Sequence, residues 1–466
     1  MLTFNDIHSQ LNLTQMRRHL KPASLAELQE IVRDAAEAGG ALAVAGGRHA
    51  MGGQQFAAGE TLLDTSRLNR VLHFDPAGAT VEVEAGIEWT KLIEELSERQ
   101  RNAPRQFSII QKQTGANRLS IGGALAANAH GRGLRLKPLI GDVESFTLVD
   151  ASGEARRCSR EENYDLFRLC IGGYGLFGII ARVRLRLVPR RKLQRTVEIT
   201  DLTRIAQNFD ERLAEDFEYG DFQFMTDSAA DGFMHAGVLS CYRPIADDTP
   251  LSATNLELSE AGWGELLYLA HADRAQAFRL YAQHYLATHN QIYYSDTHQL
   301  SVYLDDYHRE IDRRTNADVK GSEMITEAYV PRESLTQFME TMREDFRRHS
   351  VDFIYGTIRL IERDDESYLA WAREDYACVI FNLHVRHDAD GLAKAQADFR
   401  RIIDRVIEMR GSFYLTYHAW ATREQVLACY PQFPQFLCLK RQCDPRELFQ
   451  SDWYRHYKMM FAEELK

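Results

Sequence analysis

Apolar positions along this chain repeat with two different periods. Leu25, Leu28, Ile31, Val32 and Ala35 recur every three or four residues, the stripe of an amphipathic helix. Ser24, three residues before Glu27, offers that helix a capping box, and Gly39-Gly40 stops it. Short apolar runs then predict strands over residues 41–45, 62–64 and, by strict alternation, 80–85. A helix is predicted over residues 89–99 with Leu92, Ile93 and Leu96 inward. Residues 143–149 and 154–158 read as a hairpin closed by Ala151-Ser152-Gly153. Residues 181–188 alternate again.

From Leu193 the character changes. Glycine thins out, aromatic strand-like runs such as Phe222-Gln223-Phe224-Met225 appear, and longer helical patterns separate them. Residues 376–385 predict a strand with Asn382 and His384 near its end, followed by a helix over residues 392–408. The pattern gives an α+β protein. A two-lobed α/β domain spans residues 1–195, and a substrate-side domain with a sheet covered by helices spans 196–410. A C-terminal segment, 411–466, completes it. A chain of 466 residues exceeds one compact core, which agrees with this division.

Composition narrows the partners. The net charge of −11 argues against nucleic acid. Arg182, Arg184 and Arg186 alternate with Val183, Leu185 and Leu187. They read either as the wet face of a strand or, with Arg190, Arg191, Lys192 and Arg195, as a patch for a phosphate-bearing substrate. Seven scattered cysteines without a C-x-x-C pair predict neither a disulfide framework nor a zinc site. No metal site is assigned. No signal peptide and no membrane-length apolar run are visible, so the cytoplasm is the expected compartment.

Three glycine-rich segments carry the chemistry. Gly46-Gly47-Arg48-His49-Ala50-Met51-Gly52-Gly53-Gln54 follows the strand at 41–45. It is neither a P-loop nor a G-x-G-x-x-G turn. It reads as a plain surface turn or as a backbone cradle for a pyrophosphate. Residues 120–133 again combine small residues, glycines and His130. Gly172-Gly173-Tyr174-Gly175-Leu176-Phe177-Gly178-Ile179 leads into the strand at 181–188. Three such turns in under 200 residues suggest one extended cofactor.

In this order the segments resemble the FAD-binding family that includes vanillyl-alcohol oxidase, alditol oxidase and the aldonolactone oxidases, whose FAD-binding domain is of the PCMH type. The tail is similar too, most of all to decaprenylphosphoryl-ribose oxidase, through Tyr414-Leu415-Thr416-Tyr417-His418, Tyr430-Pro431, Asp444-Pro445 and Phe449-Gln450-Ser451-Asp452. The resemblance implies FAD held by Gly46, Gly47, Arg48, His49, Ala50, Met51, Gly52 and Gln54 in the first segment. Thr114, Gly115, Ser120, Gly122, Gly123, Ala126, Asn128, His130 and Gly131 would follow, then Gly173, Gly175, Gly178 and Ile179. His49 matches the histidine that many members join to the flavin 8α-methyl. No cysteine lies in residues 114–117, where some members attach a second time.

The implied reaction is hydride transfer from the CH–OH group of a sugar, polyol or lactone to flavin N5, with oxygen, a quinone or another carrier as final acceptor. Two departures from the family matter. The usual Glu-x-Arg pair is Thr357-Ile358-Arg359 here, and the lysine after Leu-Thr is Tyr417. Arg359 can still stabilise negative charge. His418, Tyr417 and His384 are the candidate proton acceptors, each open to the alternative of plain packing or a solvated position. A reductase of activated C=C bonds and a flavin-binding protein without turnover remain the competing readings.

Overall fold

The computed structural model describes residues 2–251 and 255–465. The N-terminal part holds a two-stranded sheet, Leu2–Phe4 with Thr14–Met16, and two larger ones. Strands Arg18–Leu20, Thr61–Asp64 and Leu42–Ala45 pair in parallel, with helix Leu25–Glu37 crossing between the first and last. Leu28 and Val32 of that helix pack with Leu42 and Leu63. The capping box is only half made. Ser24 Oγ accepts from the Glu27 N–H, but the Glu27 carboxylate reaches past Ser24 to the Ala23 N–H at 2.7 Å.

The larger antiparallel sheet has the order Ala155–Ser159, Val143–Val149, Ile179–Pro189, Thr80–Glu84, Val71–Asp75, with Phe107–Ile109 pairing the end of Ile179–Pro189. The hairpin at 143–159 forms as the alternation predicts. Arg182, Arg184 and Arg186 do point to the wet face of their strand. Arg184 pairs with Glu144 at 3.0 Å, so these residues belong to the sheet surface and do not line the large cavity described below.

An eight-stranded antiparallel sheet forms the second half. Its order is Ile292–Tyr294, Lys192–Asp201, Ala236–Ile245, Tyr219–Phe224, Phe353–Ile361, Tyr376–Arg386, Gly321–Pro331, Ser412–Phe413. The boundary expected at 195/196 falls inside the strand Lys192–Asp201. We place it at the turn before Lys192, because all ten residues of that strand pair with Ala236–Ile245. Helix Ala389–Glu408 starts three residues earlier than its apolar stripe, because Asp388 accepts from the Gly391 N–H and caps it. It buries Phe399, Ile402, Ile403 and Val406 against one sheet face. Each such side chain contributes about 1.5–3 kcal/mol.

Helices Glu260–Ala272 and Arg274–Ala287 stand on the opposite face. The final segment runs back to the N-terminal part: Leu42 N–H donates to Leu448 O at 2.7 Å and Met51 N–H to Thr416 O at 3.2 Å. No helix of the described residues is long and apolar enough to cross a membrane.

Candidate functional site

A cavity of about 990 Å³ lies between the glycine-rich turns and the face of the eight-stranded sheet that carries Glu327, Ile380 and Arg359. This is the upper end of the usual ~300–1,000 Å³ for small-molecule sites. The sheet register explains which side chains face it. Glu327 is paired with Ile380, which is paired with Thr357, so residues two apart on these strands share one face. Ile325, Glu327, Asn382, Tyr355 and Arg359 thereby reach the cavity, while Met324 and Ala328 point into the helix-covered core.

The first glycine segment supplies one wall through Gly46, Gly47, Arg48, His49, Ala50, Met51 and Gln54. Arg48 takes a left-handed backbone (φ 58°), which turns His49 inward. A Cβ on Gly47 would sit 2.5 Å from Arg118 O and 2.8 Å from the His49 ring, so this close approach needs glycine. His49 Nδ1 lies 2.8 Å from His8 Nε2, while His49 Nε2 is buried with no aligned hydrogen-bond partner among the described residues. Burial lowers the His49 pKa well below its ordinary value, reinforced by His8. Burial also brings His8 down to about 4. Both imidazoles are therefore neutral near pH 7, and Nε2 is an unsatisfied atom where a ligand would meet it.

Thr114, Gly115, Ser120, Gly122, Gly123, Ala126 and His130 line the same cavity, followed by Gly175, Gly178 and Ile179. Four of the expected cofactor residues do not. Gly52 is turned into its loop, where its N–H donates to Gln54 Oε1. Asn128 caps helix Ile121–Ala127 in a left-handed conformation and donates to Asp364 at 2.8 Å. A Cβ on Gly131 would meet Lys112 O at 2.8 Å, and one on Gly173 would meet Leu169 O at 2.0 Å. These four serve the turns rather than the cavity wall.

The catalytic candidates separate as well. Tyr417 and Arg359 face the cavity. Tyr417 Oη donates to Glu327 Oε1 at 2.6 Å, and burial, then Glu327, raises its pKa well above the ordinary phenol value. Arg359 Nη2 donates to Thr114 Oγ1 at 2.6 Å, and its Nε has no partner among the described residues. No carboxylate within ion-pair distance of Arg359 is found among the described residues.

His418 sits apart from these two. It is not on the cavity wall; its ring stacks on Trp420 with centroids 4.4 Å apart. Burial, opposed by Asp6, takes its pKa down to about 4. His384 sits apart as well: its Nδ1 turns to Glu323, 3.3 Å away, and its ring does not line the cavity.

Sequence reasoning missed Glu327. Its carboxylate is 6% exposed and gathers Tyr417, the Tyr329 hydroxyl and His130 Nε2 at 3.0 Å. Burial would raise its pKa, but His130 and the two phenols outweigh that and hold it below the usual range. A glutamate inside the apolar run Met324–Val330 was the available signal. Arg132 was also missed, and of the basic patch read as a phosphate site only Arg195 reaches the cavity. Arg132 lies 3.6 Å from Asp221 and over the Tyr242 ring at 4.8 Å. Arg195 stacks on Tyr285 at 4.3 Å, and its Nε donates to Ser240 Oγ at 2.9 Å.

Residues 17–159 match the family model described as an FAD binding domain. The chain carries an FAD-binding domain. It is similar over 94% of both chains, at 24% identity, to a Mycobacterium tuberculosis L-gulono-1,4-lactone dehydrogenase. It is 28% identical to the Mus musculus L-gulonolactone oxidase over 51% of this chain and 50% of that enzyme. An uncharacterized oxidoreductase of Rhodococcoides fascians is 32% identical over 38% of this chain and 39% of its own length. The matched stretch is thus half or less of the last two relatives. The cavity fits the group this FAD-binding domain implies: His49 Nε2 is unsatisfied within it, and Gly115 and Gly123 leave its wall open.

Proposed function

We propose that this FAD-dependent oxidoreductase oxidises the CH–OH group of a sugar, polyol or lactone-like substrate. The observation that carries this reading is the buried Glu327–Tyr417 pair on the cavity wall, beside an Arg359 with no carboxylate partner among the described residues. FAD, when bound, accepts the hydride. Tyr417, kept neutral by burial, takes the substrate hydroxyl proton as it passes its own to Glu327 Oε1. Arg359 stabilises negative charge that develops in the cavity. The relatives named as lactone dehydrogenase and lactone oxidase support this substrate class. Anaerobic mixing with a panel of aldonolactones, sugars and polyols should bleach the flavin. A panel that leaves it oxidised, with turnover only on activated C=C bonds, would overturn the reading.

We also propose that His49 is the flavin attachment site, through Nε2, because Nδ1 is engaged by His8. Colour should stay with acid-precipitated wild-type protein and pass to the supernatant in His49→Ala. Release from the wild type would refute the linkage and leave FAD binding intact. The cytoplasm remains our proposed compartment, consistent with seven free cysteines.

Arg132, 3.6 Å from Asp221, and Arg195, with no carboxylate partner among the described residues, both lie over Tyr242 and put two cations at one end of the cavity. Uncompensated buried charge is costly. We therefore assign this end to an anionic or strongly polar substituent of the substrate. Arg195→Met should raise KM tenfold or more, about 1.5–3 kcal/mol for a charged hydrogen bond, with kcat little changed. An unchanged KM on the true substrate would remove Arg195 from recognition.

A further inference from the structure

We propose that His271 Nε2, Glu323 Oε1 and His384 Nδ1 form a site for one divalent transition-metal ion, zinc being the best-matched occupant. His271 Nε2 lies 3.2 Å and His384 Nδ1 3.3 Å from the same carboxylate oxygen. All three donor atoms lie within 4.8 Å of one another. Nitrogen and oxygen ligands held at ~2.1 Å around a tetrahedral ion are roughly 3.4 Å apart, so the spacing is that of a coordination shell.

Hydrogen bonding accounts for one of the two imidazoles only: His384 Nδ1 bonds Glu323 Oε1 at 3.3 Å, whereas His271 is held at the same oxygen without an aligned bond. His271 Nε2 is at hydrogen-bond distance from Glu323, yet it makes no aligned bond and has no other partner among the described residues. His308 Nδ1, 2.5 Å from Glu323 Oε2, is also unaligned. Distance without direction is not a hydrogen bond. The two oxygens of Glu323 are differentiated. Tyr307 donates to Oε2 at 2.6 Å, which orients the carboxylate and leaves Oε1 to the two imidazoles. Outer-shell donors of this kind are a regular part of metal sites. The neighbouring strand makes room, because a Cβ on Gly321 would fall 2.4 Å from the His384 ring.

The three ligands come from three elements. His271 is in the last turn of helix Glu260–Ala272, Glu323 in strand Gly321–Pro331, and His384 in strand Tyr376–Arg386. Trp263, Leu266, Leu267 and Ala270 of that helix line the cavity. A bound ion would staple the helix to the sheet and fix that wall.

The test uses tag-free, flavin-loaded protein stripped with a chelator and dialysed against Zn²⁺, with metal counted by elemental analysis. Wild type should retain one equivalent and unfold at a higher temperature with Zn²⁺ than after chelation. His271→Ala and Glu323→Gln should lose that equivalent and the thermal shift. Tyr307→Phe should weaken affinity about 10–100-fold. His73→Ala, on an exposed position, should match the wild type. Wild-type protein that binds no zinc above background overturns the proposal whatever the variants do. So does a full equivalent in either ligand variant. Flavin content reports that each variant is folded; a variant that fails this check is replaced by His384→Gln under the same criteria.

Discussion

Glu327→Gln and Tyr417→Phe should each slow substrate-driven flavin reduction by about 10²–10⁴-fold, the usual worth of a positioned proton acceptor. The flavin should remain bound, since neither side chain belongs to the glycine-rich turns. Tyr417 Oη and Glu327 Oε1 are 2.6 Å apart, so they act as one unit. The double variant should therefore be little slower than the worse single one. His418→Ala should keep a near wild-type reduction rate in its folded fraction, because its ring stacks on Trp420 away from the cavity. Rapid-mixing measurements of flavin bleaching decide the matter. Full-speed reduction in Tyr417→Phe and Glu327→Gln would move the acceptor elsewhere.

Gly123→Val should give folded, colourless protein, whereas Gly173→Val should not fold properly. The two glycines differ in what a side chain would meet. At Gly123 the added Cβ has only Ser120 Oγ within 4 Å, at 3.0 Å, and beyond it lies the cavity. Valine is also no worse than glycine in the helix Ile121–Ala127. The branched side chain then takes space from the cofactor. At Gly173 the Cβ would lie 2.0 Å from Leu169 O, a backbone atom that cannot move without unwinding the helix Tyr164–Cys170. Circular dichroism with the ratio of flavin to protein absorbance separates the outcomes. Full flavin occupancy in Gly123→Val would show that this wall lies outside the FAD site.

What the sequence determined by itself was local. The stripe Leu25–Ala35, the strand at 42–45, the hairpin at 143–159 and the helix ending at Glu408 follow from side-chain period and turn chemistry within a few residues. The three glycine segments were legible for the same reason: close approach of backbone to a ligand restricts residue type in a continuous stretch. Their convergence with the tail was legible only through resemblance.

Tertiary structure decided everything that depends on direction and distant pairing. Tyr417 and His418 are adjacent, yet one reaches Glu327 and the other packs on Trp420, because neighbouring side chains leave the backbone on different sides. Glu327 gains its meaning only when the sheet sets it beside His130 and Tyr417, partners far away in the chain. His271, Glu323 and His384 show no metal-ligand spacing in the sequence, because a helix and two strands bring them together. Period and composition fix which element forms; register and the packing of helices on the sheet fix which side chains meet.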